Sequence, residues 1–210
     1  LYARVVINYM AKRTKTWDPE KESNRYDAAF YDKHTKYYEK GLKSFQAFVV
    51  DECKAASIVD VGCGMGDWVA PLQDQIPTLG VDFSVGAVEK QQLKTENFMR
   101  HDLTVPFPEQ VEHRDVVSSL EVYEHIMPEL EDVYLSNLMA FDPRVLIVSC
   151  APPGQWGRGH HNPCTPDHVT SKMDERGYVV DEELTSKFKK LKGLATFYKK
   201  NTLVFIKKAT

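Results

Sequence analysis

Residues 151–168, APPGQWGRGHHNPCTPDH, gather His160, His161, Cys164, Asp167 and His168 among prolines and glycines. Two chemistries use such residues. His161-x-x-Cys164-x-x-x-His168 has the spacing of a zinc fork, and zinc takes imidazole and thiolate readily. Histidine is also the side chain whose ordinary pKa lies near neutrality, which suits a base that removes a proton from a hydroxyl. Pro163 and Pro166 constrain the fork and no clear fourth ligand stands nearby. Proton removal or acceptor positioning by His160 or His161 is therefore the first reading, a hydrogen-bonded structural pair the second, and a metal site the third. No metal ligands are assigned. Of the two histidines His161 is favoured, because Asn162 and Pro163 restrain the backbone after it.

A second constellation lies upstream. VDVGCGMGDW puts Gly62, Gly64 and Gly66 in one turn, where the lack of a Cβ lets the backbone bend tightly and approach a ligand. The nicotinamide fingerprint G-x-G-x-x-G requires glycine at 67, where Asp67 stands; a carboxylate at that helix start would repel a pyrophosphate. Asp82 follows Gly62 by twenty residues, where an acid that grips the two hydroxyls of an adenosine ribose is expected. Asp102 closes the next apolar run.

These residues need a scaffold that brings them together. SIVDVG, PTLGVDFS, ENFMRHD, RDVVSSLEV and PRVLIVSC read as short buried strands, with DWVAPLQDQ and EDVYLSNLMAF as helices between them. Strands alternating with helices predict a parallel sheet covered on both faces. TPDHVTSKMDERGY predicts a helix opened by Thr165 and Pro166. YVVDEELT and NTLVFIKK read as two last strands, and SKFKKLKGLATFYKK between them as a basic, solvated spacer. The whole reads as one domain: a loose lead-in over 1–23, a helical cap over 24–56 and the core over 57–210. The cap's Tyr26, Phe30 and Tyr31 are available to close the open edge of the sheet, as a lid or as plain packing.

The 210 residues, 42% hydrophobic and 27% charged, are ordinary for a globular domain, and the formal charge of -3 gives no pull toward nucleic acid or anionic membrane. No apolar run approaches the roughly 18 residues of a membrane helix. Cys53, Cys63, Cys150 and Cys164 read as reduced thiols, which places the protein in the cytoplasm.

VDVGCGMGDW, GVDFS, FMRHDLTVPFP and RDVVSSLEVYEHI resemble, in that order, the motifs of the class I S-adenosylmethionine-dependent methyltransferases. The resemblance implies a Rossmann-like α/β fold: a doubly wound, mostly parallel seven-stranded sheet with an antiparallel C-terminal strand and an N-terminal helical cap. It implies S-adenosylmethionine as cofactor. Asp60, Gly62, Cys63 and Gly64 would surround its methionine half, and Asp82 would take the ribose hydroxyls. Phe83 would lie against the adenine, Asp102 and Leu103 would meet the adenine edge, and Leu120 and Glu121 would line the reacting sulfur. Glu121, Glu124 and His125 match an E-V-x-E-H pattern, in which His125 is either a site residue or a structural one. Tyr26, Tyr31, His125 and Trp156 are candidates for the acceptor side. The segment APPGQWGRGHHN is similar to that of members that act on sugars or other small hydroxylated molecules. Methyl transfer to such a hydroxyl is the expected function. The alternatives are a macromolecular acceptor such as RNA or protein, a nicotinamide-dependent oxidoreductase, and a partner domain without catalysis.

Overall fold

The structure, a computed structural model, describes residues 18–34, 39–108 and 110–209. Its centre is one seven-stranded sheet of order β3-β2-β1-β4-β5-β7-β6. The strands are β1 (Ile58–Val61), β2 (Thr78–Asp82), β3 (Phe98–Arg100), β4 (Val116–Ser119), β5 (Val145–Ser149), β6 (Tyr178–Val180) and β7 (Thr202–Lys207). Pairing is parallel from β3 through β5, with Asp60 opposite Gly80 on one side and Ser118 on the other. β7 runs antiparallel to both β5 and β6.

β1, β4 and β5 are buried at every residue, which is why they are written as unbroken runs rather than alternations. The period of two still sorts their side chains. Val59, Val61, Leu146 and Val148 pack on one face with Tyr134, Leu138 and Phe141 of helix α5 (Glu131–Met139) and the turn after it. Ile58, Val145 and Ile147 pack on the other with Phe45, Phe48, Val69 and Phe188. Asp60 is on that second face, at the point where strand order reverses between β1 and β4, the usual ligand crevice of such sheets.

Before the sheet come α1 (Pro19–Arg25), α2 (Ala28–His34) and α3 (Glu39–Ala47), the last running into a π-turn over Phe48–Glu52. The expected loose lead-in through residue 23 is corrected in its last part. Asp18 caps α1, its side chain accepting from the Glu20 and Lys21 amides, with Pro19 at the first helical position; residues 1–17 lie outside the described part, as do Tyr37 and Tyr38 of the expected cap. The helix expected over DWVAPLQDQ is a series of turns with a 3-10 segment at Ala70–Leu72, since Pro71 cannot donate to the preceding turn. The strand expected over YVVDEELT ends at Val180. Asp181 accepts from the Leu184 amide at 2.8 Å and starts helix α7 (Glu182–Lys189) instead. The remaining helices are α4 (Val85–Glu89), α6 (Pro166–Asp174), opened by Thr165 as expected, and α8 (Thr196–Asn201). The spacer is not simply solvated, because Phe188 is fully buried against Phe45 and Phe48. All four cysteines are buried free thiols. Among the described residues no helix is long and apolar enough to cross a membrane.

Candidate active site

The glycine turn leaves β1 with Gly62 at φ 84° and Gly64 at φ 55°, a backbone region that strains other residues. Space matters too: a Cβ on Gly62 would stand 2.3 Å from Val122 Cγ2, and one on Gly64 would stand 3.0 Å from the Tyr31 ring. The turn is tied to the neighbouring strand. The Gly62 and Cys63 amides donate to the Val81 carbonyl at 2.7 and 3.0 Å, and the Gly64 amide donates to Asp82 Oδ2 at 2.9 Å. Asp82 Oδ1 accepts from the Ser84 amide and hydroxyl, which leaves one lone pair, on Oδ2, for a ligand. Phe83 lies beside it on the cavity wall. At the end of β3, Asp102 Oδ1 is held by the Thr104 amide and hydroxyl, and buried Leu103 follows.

Asp60 is buried beneath this turn, its oxygens accepting from Trp68 Nε1 at 2.7 Å and Ser118 Oγ at 2.6 Å. Burial outweighs those two bonds and, with the nearby Asp82 charge, pushes its carboxyl up to about 7. Cys63, lining the turn, is held far above the usual thiol range by burial, with the Asp82 and Asp60 charges adding to it; it is a packing residue and not a nucleophile.

At the end of β4, Glu121 adopts φ 55°. Ser149 stabilises this uncommon conformation, accepting from the Glu121 amide at 2.7 Å and donating to its Oε1 at 2.8 Å. The chain then turns through Tyr123–His125 and meets the loop that leaves β5. The His161 and Asn162 amides donate to the Glu124 carbonyl at 2.7 and 2.9 Å. Successive residues of an extended segment face opposite ways, so this tether turns His160 into the cavity and leaves His161 exposed and outside its lining. Of the two candidate histidines, His160 and not the favoured His161 lines the cavity. His161 is also not brought to Cys164 and His168; those two meet Glu131. Glu131 Oε1 accepts from Tyr123, Asn162 and His168 at 2.9, 3.2 and 2.7 Å.

Glu124, His125 and His160 line the same cavity as Asp60, Asp82 and Asp102. Glu124 is completely buried, and burial together with the neighbouring Glu121 carboxylate raises its pKa. Burial pushes His125 down to about 4, with the His160, His161 and Arg25 charges adding to it against the Gly159 carbonyl. Its Nδ1 lies 3.0 Å from that carbonyl and 3.1 Å from the Tyr26 hydroxyl. Tyr26, Phe30 and Tyr31 line the same cavity, as do Leu120, Glu121 and Trp156, the last 92% exposed at the rim. Arg25, Gln155, Phe197 and Tyr198 line it as well and were not anticipated. The aromatic pair inside the basic spacer was the available signal for the last two.

The cavity, about 670 Å³, falls within the range of cofactor and small-ligand sites. Its carboxylates at strand ends suit a sulfonium and an ammonium cation, and the Gly62–Gly64 turn lines it beside them. The residues therefore fit S-adenosylmethionine, and sheet order, turn and acids define a class I S-adenosylmethionine-dependent methyltransferase. Residues 13–139, well over half of the chain, match the model of a family described as a methyltransferase domain, and the chain belongs to that family. Among solved structures it is similar to magnesium protoporphyrin IX methyltransferase from Synechocystis PCC 6803 with bound S-adenosylmethionine, at 18% identity and TM-score 0.65 over 93% of this chain and 100% of that one. The sugar N-methyltransferase KedS8 from Streptoalloteichus sp ATCC 53650 gives 15% and 0.61 over 86% and 92%. The small RNA methyltransferase HEN1 gives 18% and 0.57 over 80% of this chain and 25% of that one. No curated protein matches the sequence.

Proposed function

We propose that this methyltransferase acts on a hydroxyl of a small molecule or sugar. The observation that carries the reading is the enclosure of the acceptor side. Tyr26, Phe30 and Tyr31 cover it from the N-terminal helices, Trp156 and Tyr198 stand at its margin, and Glu124, His125 and His160 form its polar wall. One cavity of about 670 Å³ must take cofactor and acceptor together, which favours a small acceptor. An aromatic wall with a few convergent polar groups suits a ring bearing hydroxyls. The sugar N-methyltransferase neighbour fits an acceptor of sugar size but speaks for an amine rather than a hydroxyl, and the RNA methyltransferase neighbour speaks for a macromolecular acceptor. Against RNA stands the formal charge of -3. The buried free thiols suit a reducing compartment such as the cytoplasm.

S-adenosylmethionine, when bound, supplies an electrophilic methyl on a sulfonium leaving group. The chain's residues do the rest. In this reading Asp82 holds the ribose hydroxyls, Asp60 and the Gly62–Gly64 turn hold the methionine half, and Phe83, Asp102 and Leu103 hold the adenine. Leu120 and Glu121 border the reacting centre. The tether between His161, Asn162 and Glu124 holds the loop so that His160 meets the acceptor oxygen in line with the methyl. The Glu124–His125–His160 wall then takes up the charge that develops as the hydroxyl loses its proton.

The test is a panel of sugars, phenols, carboxylates, amines and short RNAs, scored by mass spectrometry for gain of one methyl. A hydroxylated small acceptor is expected to react, and His160→Ala to lose turnover while keeping S-adenosylhomocysteine affinity. Methylation of RNA alone, or of amines alone, would overturn the reading.

A further inference from the structure

The geometry points to a cation site: we propose that Glu124, His125 and His160 bind one divalent transition-metal ion on the acceptor side of the cleft. The three residues each offer a ligand atom, all within 4.8 Å of one another. That juxtaposition alone would be weak. A second, independent observation comes from Glu124. It is 0% exposed, it lines the cavity, and among the described residues neither of its carboxylate oxygens has a hydrogen-bond partner. Its own amide, that of Ala151 and the Glu121 carboxyl all lie close by, the first two opposing the pKa rise and the last adding to it, but none reaches hydrogen-bond geometry. A proton on Glu124 would serve one contact to Glu121 and leave the other buried oxygen still in need of a partner. A bound cation satisfies both oxygens at once.

The histidines are held as ligands require. His125 Nδ1 faces the Gly159 carbonyl at 3.0 Å and His160 Nδ1 faces the Gln155 carbonyl at 3.2 Å. A backbone carbonyl opposite Nδ1 places the ring proton there and leaves the Nε2 lone pair for a metal, the arrangement that orients most metal-binding histidines. His160 Nε2 lies 4.0 Å from Glu124 Oε1, too far for a hydrogen bond. Two tetrahedral ligands on one ion with bonds of about 2.0–2.2 Å stand roughly 3.3–3.6 Å apart, so the two side chains would close by about half an ångström onto an ion.

The second candidate cluster provides the contrast. Glu131, Cys164 and His168 are equally close, yet His168 Nε2 bonds Glu131 Oε1 directly at 2.7 Å, and Tyr123 and Asn162 bond the same oxygen. That cluster satisfies itself. At the first, two imidazoles and a carboxylate select manganese, iron, cobalt, nickel or zinc over magnesium or calcium, which prefer all-oxygen sets. The inference rests on the proposed function only for its use and changes the part His160 plays there: with the ion bound, the acceptor oxygen would meet the ion that His160 holds instead of the ring itself, and the cation would ease loss of its proton.

The experiment needs neither cofactor nor acceptor. Chelator-treated protein is titrated with Co²⁺, Mn²⁺ and Zn²⁺, following the visible absorption of Co²⁺ and the heat of binding. One ion per chain is expected. Glu124→Gln and His160→Ala should each weaken binding by about 100-fold or more, while Cys164→Ser leaves it unchanged. S-adenosylhomocysteine affinity, retained in all three variants, reports that each is folded. Loss of cofactor binding by the wild-type protein with the ion still bound would sink the methyltransferase mechanism and spare the site. No ion bound below millimolar concentration by protein that does bind S-adenosylhomocysteine would overturn the proposal. So would equal binding by the Glu124 and His160 variants.

Discussion

Asp60 links cofactor binding to a proton. Its carboxyl is buried on β1 with a pKa pushed up to about 7, so about half of the free protein carries a proton there at pH 7. An ammonium or sulfonium group brought into the cavity that Asp60 lines favours the ionised form. If that returns the pKa toward its ordinary value, binding releases about 0.9 proton at pH 6, about 0.5 at pH 7 and about 0.1 at pH 8. The same arithmetic weakens Kd about tenfold between pH 8 and pH 6. The assay is calorimetry of S-adenosylmethionine binding in buffers of different ionisation enthalpy, which counts the protons. Asp60→Asn is the perturbation, since an amide oxygen can still accept from Trp68 Nε1. It should abolish the release and flatten the profile. The cofactor's own amino group titrates near about 7.7–8.0 and contributes equally to both proteins, so the difference isolates Asp60. Equal proton release by the two proteins at pH 6 and 7 would refute the reasoning. Folding stability follows with a definite sign. The folded-state value, about 7, lies above the ordinary 3.8, so the native state binds this proton more tightly. Its contribution is fully present below the unfolded pKa and is lost as pH rises through about 7, at most about 4 kcal/mol in all. The cofactor-free wild-type protein should therefore lose more stability between pH 5 and 8 than Asp60→Asn.

Four further outcomes are expected. A Cβ at Gly157 would stand 1.8 Å from His160 Nε2, so Gly157→Ala should displace that ring and lower turnover by about 10²-fold with S-adenosylhomocysteine affinity intact; wild-type turnover would count against His160. Asp82→Ala should weaken S-adenosylmethionine binding by about 1.5–3 kcal/mol, and unchanged calorimetric affinity would remove Asp82 from the site. Phe188→Ala should cost about 3–5 kcal/mol in urea unfolding, because the ring is fully buried between Phe45 and Phe48. Hydrogen bonds from His168, Tyr123 and Asn162 overcome the burial of Glu131 and hold its pKa below the usual range. That contribution exists above the unfolded pKa and fades as pH falls through the depressed one. His168→Ala should accordingly cost about 1 kcal/mol near neutrality, discounted for its exposure, and little in acid.

The sequence by itself determined the sheet and brought the glycine turn and the strand-end acids to one cavity. Unbroken apolar runs say that β1, β4 and β5 are buried on both faces, and β1, β2 and β3 carry Gly62, Asp82 and Asp102 to the same edge. These signals are local: a turn that needs positive φ, a strand that needs apolar residues, and an acid at its end. Local signals failed where two readings share one composition. Asp181 was read as part of a strand when it caps a helix, and Phe188, Phe197 and Tyr198 were submerged in a run of lysines although they face the core or the cavity.

Which histidine faces the cavity was a tertiary decision. His160 and His161 are adjacent and chemically identical, and nothing in their own sequence separates them. The Glu124 carbonyl, from the turn after β4, takes the His161 and Asn162 amides, and that bond across the fold sets which side chain points inward. The same holds for Glu124, whose motif is legible but whose buried, unpartnered carboxylate exists only once the β5 loop closes over it. A hydrogen bond or a burial between distant segments depends on the angle at which they meet, and that angle is a property of the packed sheet.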